Sequence, residues 1–162
     1  MHRMHRIILI SHCILNQNSV VEPLARAKGA YNAIISEILK ENIGIHQLPC
    51  PEFRHLGSKR PPMSKSDYDT LTYRRLCSEI AKDQLRIIQE YKSTGYEILG
   101  IIGINHSPTC SVKGNPGILI EEIQKEMKSE NITIPMIDVP TDYLEEEKTE
   151  EFLEELRTIL KK

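Results

Sequence analysis

No tryptophan occurs in the 162 residues and only two phenylalanines do. That scarcity argues against a platform on which successive bases stack. Neither sign of charge dominates: 21 lysines and arginines face 23 acids, for a formal net charge of −2. Such a balance excludes a strong global attraction to nucleic acid and makes that partner unexpected. No apolar run approaches the roughly 18 residues of a membrane span. The opening Met1-His2-Arg3-Met4-His5-Arg6 is basic like the start of a signal peptide. Only Ile7-Ile8-Leu9-Ile10 follows before polar Ser11 and His12, too short for a secretory core. A cytoplasmic protein is expected. Cys-x-x-Cys is absent, which excludes a zinc ribbon and a thioredoxin-type pair. So are Gly-x-Gly-x-x-Gly and Walker-type loops, which removes support for a nucleotide cofactor.

What is present is four cysteines, three of them where strand-like runs end. Arg6-Ile-Ile-Leu-Ile-Ser-His-Cys13 is the first and Ile43-Gly-Ile-His-Gln-Leu-Pro-Cys50 the second. In the third, Ile98 to Ile104 runs into a polar turn that ends at Cys110. Parallel strands of one open sheet would bring all three thiols to its carboxyl edge, where such sheets bind ligands. Thiols stay reduced in a cytoplasm, so spaced cysteines point to metal or catalysis more than to disulfides. Three thiolates at one point suit a soft metal or an iron–sulfur cluster. Taken singly, each also reads as a small buried hydrophobe. Cys77 is the control, because it lies on a helical apolar stripe and needs no further role.

Strand and helix patterns alternate along the chain. Tyr31, Ile34, Ile35, Ile38 and Leu39 recur at helical spacing. A proline-, glycine- and base-rich loop, 52–65, precedes a long helix that Ser66 or Asp67 would cap. That helix carries Tyr73, Leu76, Cys77, Ile80, Ile87, Ile88 and Tyr91 and ends near Gly95. Ile98 to Ile104 is apolar enough for a strand covered on both faces. Ile118, Leu119, Ile123 and Met127 mark another helix. Ile132 to Val139 reads as an edge strand because it contains Pro135. Phe152, Leu153, Leu156, Ile159 and Leu160 face inward on the last helix, and the acidic run from Glu145 to Glu155 is its solvated side. The alternation predicts a single domain over 1–162: an α/β three-layer sandwich with a mainly parallel, Rossmann-like open sheet.

Nucleophilic chemistry by Cys13 alone finds little support. Phosphatase loops place an arginine six positions after the cysteine to hold phosphoryl oxygens, and Ser19 occupies that position here. Glu52, next to Cys50-Pro51, is a base if it faces a site and a solvated acid if it does not. Ser107 is either a hydrogen-bond donor into the site or the cap of the turn before Pro108. His12 and His106 flank candidate ligands and are ligands, proton carriers or ordinary histidines. Arg54, Lys59 and Arg60 meet an anion or form the wet face of a loop.

Read together, Ser11-His12-Cys13, Cys50-Pro51-Glu52 with Arg60-Pro61-Pro62, and Ser107-Pro108-Thr109-Cys110 resemble the thiouracil desulfidase family, also called DUF523. The likeness spans residues 6–117, and its most specific elements are Cys-Pro-Glu and Ser-Pro-x-Cys. It implies a [4Fe-4S] cluster held by Cys13, Cys50 and Cys110, with one iron that has no protein ligand. It also implies a small thiolated substrate whose thiocarbonyl sulfur is replaced by water without net redox change. Glu52 would be the base and Ser107 a hydrogen-bond donor. The chain is a divergent member by this pattern. Asn16-Gln-Asn-Ser-Val-Val-Glu-Pro23 replaces the usual Arg-Tyr-Asp-Gly stretch, and Thr109 and Ser111 replace serine and glycine. Those changes fall where a substrate would be shaped, so another thioamide or a thiolated nucleoside is expected in place of thiouracil itself. An iron–sulfur or sulfide carrier and a zinc-binding structural module are the alternatives to a hydrolytic enzyme.

Overall fold

The computed structural model describes residues 1–162 and contains one wholly parallel sheet with helices on both faces. Its strands are β1 (Arg6–Ile10), β2 (Gly44–Gln47), β3 (Glu97–Ile104) and β4 (Met136–Val139), in the order β2-β1-β3-β4. All neighbouring pairs are parallel. The chain goes from β1 to β2 on one side and later returns to lay β3 on the other. The order therefore reverses at β1, which makes its carboxyl end a topological switch point.

The helices in chain order are α1 (His12–Leu15), α2 (Asn32–Lys40), α3 (Pro51–Leu56), α4 (Lys65–Tyr68), α5 (Leu71–Ser93), α6 (Ile118–Ser129) and α7 (Glu150–Leu160). Alternation along β1 sends Ile7 and Leu9 to the face covered by α5 and α6. It sends Ile8 and Ile10 to the face covered by α2 and α7. A register shift between β1 and β3 gives β3 one extra residue, so Ile98 and Ile101 share a face although three positions apart. Gly100 sits in that irregularity, where a β-carbon would lie 3.2 Å from the Pro135 carbonyl oxygen. No helix is long and apolar enough to cross a membrane.

Four expectations change. The loop expected over 52–65 opens with helix α3, which Cys50 caps and Pro51 begins, so the irregular part is shorter. The fourth strand begins at Met136, not Ile132: it is an edge strand, but Pro135 lies before it and only lends its carbonyl to Ile101 N at 2.9 Å. The helix expected from Ser66 or Asp67 is two helices. Ser64, not Ser66, caps α4 in a reciprocal box with Asp67, and Thr70 caps α5 by accepting from Tyr73 N at 3.2 Å. The acidic run is not all solvated either. Glu145 precedes α7 and accepts from Ala33 N at 2.7 Å, serving the free amides at the start of α2.

Candidate functional site

Each cysteine motif leaves its strand under local control. Past β1, Ser11 is locked to Ile102 by its backbone N–H at 2.9 Å and its hydroxyl at 3.1 Å, which sets where Cys13 emerges. Past β2, Cys50 caps α3, its sulfur accepting from Phe53 N at 3.4 Å. Pro51 suits the first turn because that position needs no N–H donor. Past β3, the Ser107 hydroxyl oxygen accepts from Thr109 N at 3.2 Å and Cys110 N at 3.0 Å. Thr109 is buried and bonded to the Tyr73 hydroxyl at 2.7 Å. Asp138, at the end of β4, accepts from Val112 N and Lys113 N. Gly117 lets the backbone close on this loop: a β-carbon there would lie 2.2 Å from the Thr109 carbonyl carbon.

Cys13, Cys50 and Cys110 line one cavity of about 580 Å³ together with Glu52 and Ser107. That volume is ordinary for a small-molecule site. Val20, Val21, Pro23, Leu24 and Ala25 form an apolar wall. His12, Arg26, Tyr31, Arg60, Asn105 and His106 supply polar groups. Cys77 is elsewhere, fully buried under α5.

Burial and mutual repulsion both act on the three thiols. Burial pushes the Cys13 thiol up to about 12, and the charges of Cys50 and Glu52 add to the rise. Burial raises Cys110 well above the usual thiol range, reinforced by Cys13 and then Cys50. Burial also raises Cys50, outweighing the hydrogen bond from Phe53 N. Three thiolates here oppose one another and burial opposes each, so ionising all three calls for a bound cation. No three His, Cys, Asp or Glu side chains are arranged to hold one lone metal ion. A cluster asks for a different layout, since each thiolate binds a separate iron of a larger body.

Glu52 faces this cavity with one oxygen engaged. Its Oε1 accepts from Arg60 Nε at 3.3 Å and from the Tyr68 hydroxyl at 3.1 Å. The Ser107 oxygen caps the turn, and the residue also lines the cavity. His12 also lines it, with Nδ1 3.2 Å from Ser19 Oγ. Burial and then the neighbouring Arg54 hold the His12 pKa below its ordinary value. His106 is exposed at the rim in a left-handed conformation, φ 61°. Arg54 and Lys59 are exposed and outside the cavity lining, whereas Arg60 is buried within it.

Sequence reasoning missed Arg26, Tyr31 as a cavity residue, and Tyr68. The Arg26 guanidinium donates to the Pro140 carbonyl, and its backbone N–H donates to Gln17 Oε1 at 2.9 Å. Gln17 in turn donates to the Cys13 carbonyl at 2.9 Å. Nothing in the local pattern signals Arg26, and Tyr31 reads as one more position of an apolar stripe.

Comparison with known proteins agrees with this geometry. The chain matches a family model described as "Putative 2-thiouracil desulfurase" over residues 5–123. It is also 44% identical over 151 residues to an uncharacterized protein of Methanocaldococcus jannaschii, covering 93% of this chain and 96% of that relative. No solved structure matches the chain. The family match runs through all three cysteine motifs and well over half of the sequence, so the chain belongs to the putative 2-thiouracil desulfurase family.

Proposed function

We propose that the protein is an iron–sulfur desulfidase that replaces the sulfur of a small thiocarbonyl compound with oxygen from water. The observation that carries this reading is the convergence of Cys13, Cys50 and Cys110 on one cavity beside Glu52. The donor set fits a [4Fe-4S] cluster: three soft thiols are offered, and the remaining cysteine, Cys77, is buried away from the cavity. When bound, such a cluster would supply an iron without a protein ligand as a Lewis acid toward the thiocarbonyl sulfur.

The reaction balances without an electron carrier: thiocarbonyl and water give carbonyl and hydrogen sulfide. Water attacks the carbon while Glu52 accepts a proton at its cavity-facing carboxylate. Ser107 keeps its oxygen in the turn and donates its hydroxyl hydrogen into the cavity. The Val20–Ala25 wall packs against the apolar part of the substrate and limits the water that reaches it. His12, Tyr31 and Arg26 offer hydrogen-bonding groups for the rest of the thioamide.

Anaerobic reconstitution of wild type and of the Cys13, Cys50, Cys110 and Cys77 alanine variants tests the site. Iron, acid-labile sulfide and visible absorption should be lost in the first three and kept in Cys77→Ala. Zinc without labile sulfide would overturn the cluster. Glu52→Gln should keep the cluster and stop sulfide release. A loaded wild type that acts on no thiocarbonyl would instead favour a cluster or sulfide carrier.

A further inference from the structure

We infer that Arg60 and Tyr68 are positioning residues that fix the Glu52 carboxylate relative to the three cysteine loops. The inference rests on the reading of Glu52 as the group that takes a proton from water. A carboxylate base works only if one oxygen is presented at a fixed place and angle, and an unrestrained glutamate side chain does not provide that. Here both donors meet the same atom. Arg60 Nε lies 3.3 Å and the Tyr68 hydroxyl 3.1 Å from Oε1. Oε2 accepts no hydrogen bond from the protein, so the free oxygen is defined.

Arg60 is only 7% exposed. Its guanidinium uses all three edges: besides Glu52, Nη1 donates to the Gly57 carbonyl at 3.0 Å and Nη2 to the Ser19 carbonyl at 2.7 Å. Ser19 lies in the turn after Cys13, and Gly57 ends α3, which begins beside Cys50. One rigid plane thus ties the base to its own helix and to the first cysteine loop. Lysine, a flexible point charge, cannot reproduce that fork. Tyr68 extends the tie to the third loop. Its ring lies 4.7 Å from that of Tyr73, whose hydroxyl is bonded to Thr109 beside Cys110. Each cysteine loop is therefore connected to the carboxylate through one of these two side chains.

The test uses Tyr68→Phe and Arg60→Lys, which keep packing and charge respectively. Crystal structures of the cluster-free variants should show the Glu52 carboxylate turned away from its wild-type position. In reconstituted protein, with 2-thiouracil and a panel of other thioamides as probes, iron and labile sulfide should match wild type. For any probe that wild type turns over, kcat should fall about tenfold for Tyr68→Phe and about a hundredfold for Arg60→Lys, the range expected for hydrogen bonds to a charged group. KM should stay within about twofold. An unmoved Glu52 with unchanged kcat overturns the inference, as does activity lost only in step with the cluster. A wild type that loads fully and turns over no probe sinks the desulfidase reading instead, and the crystal structures still decide whether Glu52 is held.

Discussion

The two faces of the sheet and its carboxyl edge are stabilised by different means. On the faces, α5 and α6 on one side and α2 and α7 on the other bury almost only aliphatic and aromatic side chains. At the carboxyl edge sit Ser11, Gln17, Ser19, Arg60, Thr109, Ser111 and Asp138, seven of the eight buried polar residues. Only Gln84, bonded to His46 at 2.7 Å, lies elsewhere. No buried side-chain polar atom lacks a partner. The faces need volume and tolerate exchange among apolar residues; the edge needs specific donors and acceptors and tolerates little. A site that must hold three thiols at one place is built from the second kind of contact.

Asp138→Ala attacks the edge most directly. It leaves the Val112 and Lys113 amides unpaired behind the Cys110 loop. The expected loss is about 2 kcal/mol in urea unfolding, with reduced cluster uptake, because these part-buried amides lose hydrogen bonds to a charged acceptor. A loss below about 1 kcal/mol would mean that the loop is anchored by other groups, and the contrast between edge and faces would weaken. Cys77→Ala makes the complementary change on a face. Removing a fully buried sulfur should cost about 1–2 kcal/mol while iron and labile sulfide per chain stay at the wild-type level. Iron lost from this variant would show that the faces and the edge are not separable.

The smallest effect tests an ion pair that joins α2 to α7 outside the apolar core of their face. Hydrogen bonds from Arg157 and then Lys40 hold Glu37 down to about 2, against about 4.3 in an unfolded chain. A depressed carboxylate stabilises the fold fully above about pH 5, and that contribution fades as the pH falls toward 2. Glu37→Gln should therefore cost about 0.5–1 kcal/mol at pH 7 and converge on wild type in acid, as measured by denaturant midpoints across pH. A difference that persists at pH 2 would assign the effect to packing.

Much of the fold was readable because burial imposes periodicity. The apolar run of β3, the stripe of α7 and the strand-end placement of Cys13, Cys50 and Cys110 all follow from local pattern. What failed was decided by contacts between distant segments. Pro135 suggested where an edge strand lay but not that it would stop short of the strand. Glu145 reads as one acid among many until α2 is packed beside it. Arg60 sits in a basic loop that looks like a wet surface, and only the fold brings Ser19, Gly57 and Glu52 around its guanidinium.

By itself the sequence determined the layers, the parallel order of strand and helix, and the three thiols at corresponding strand ends, because hydrophobic spacing and turn chemistry are local properties. Only the tertiary structure decided that those thiols share a cavity with Glu52. It also decided that Val20 to Ala25 wall the cavity and that Arg60 and Tyr68 hold one carboxylate oxygen, because those contacts depend on how irregular loops fold back on one another and leave no periodic trace in the chain.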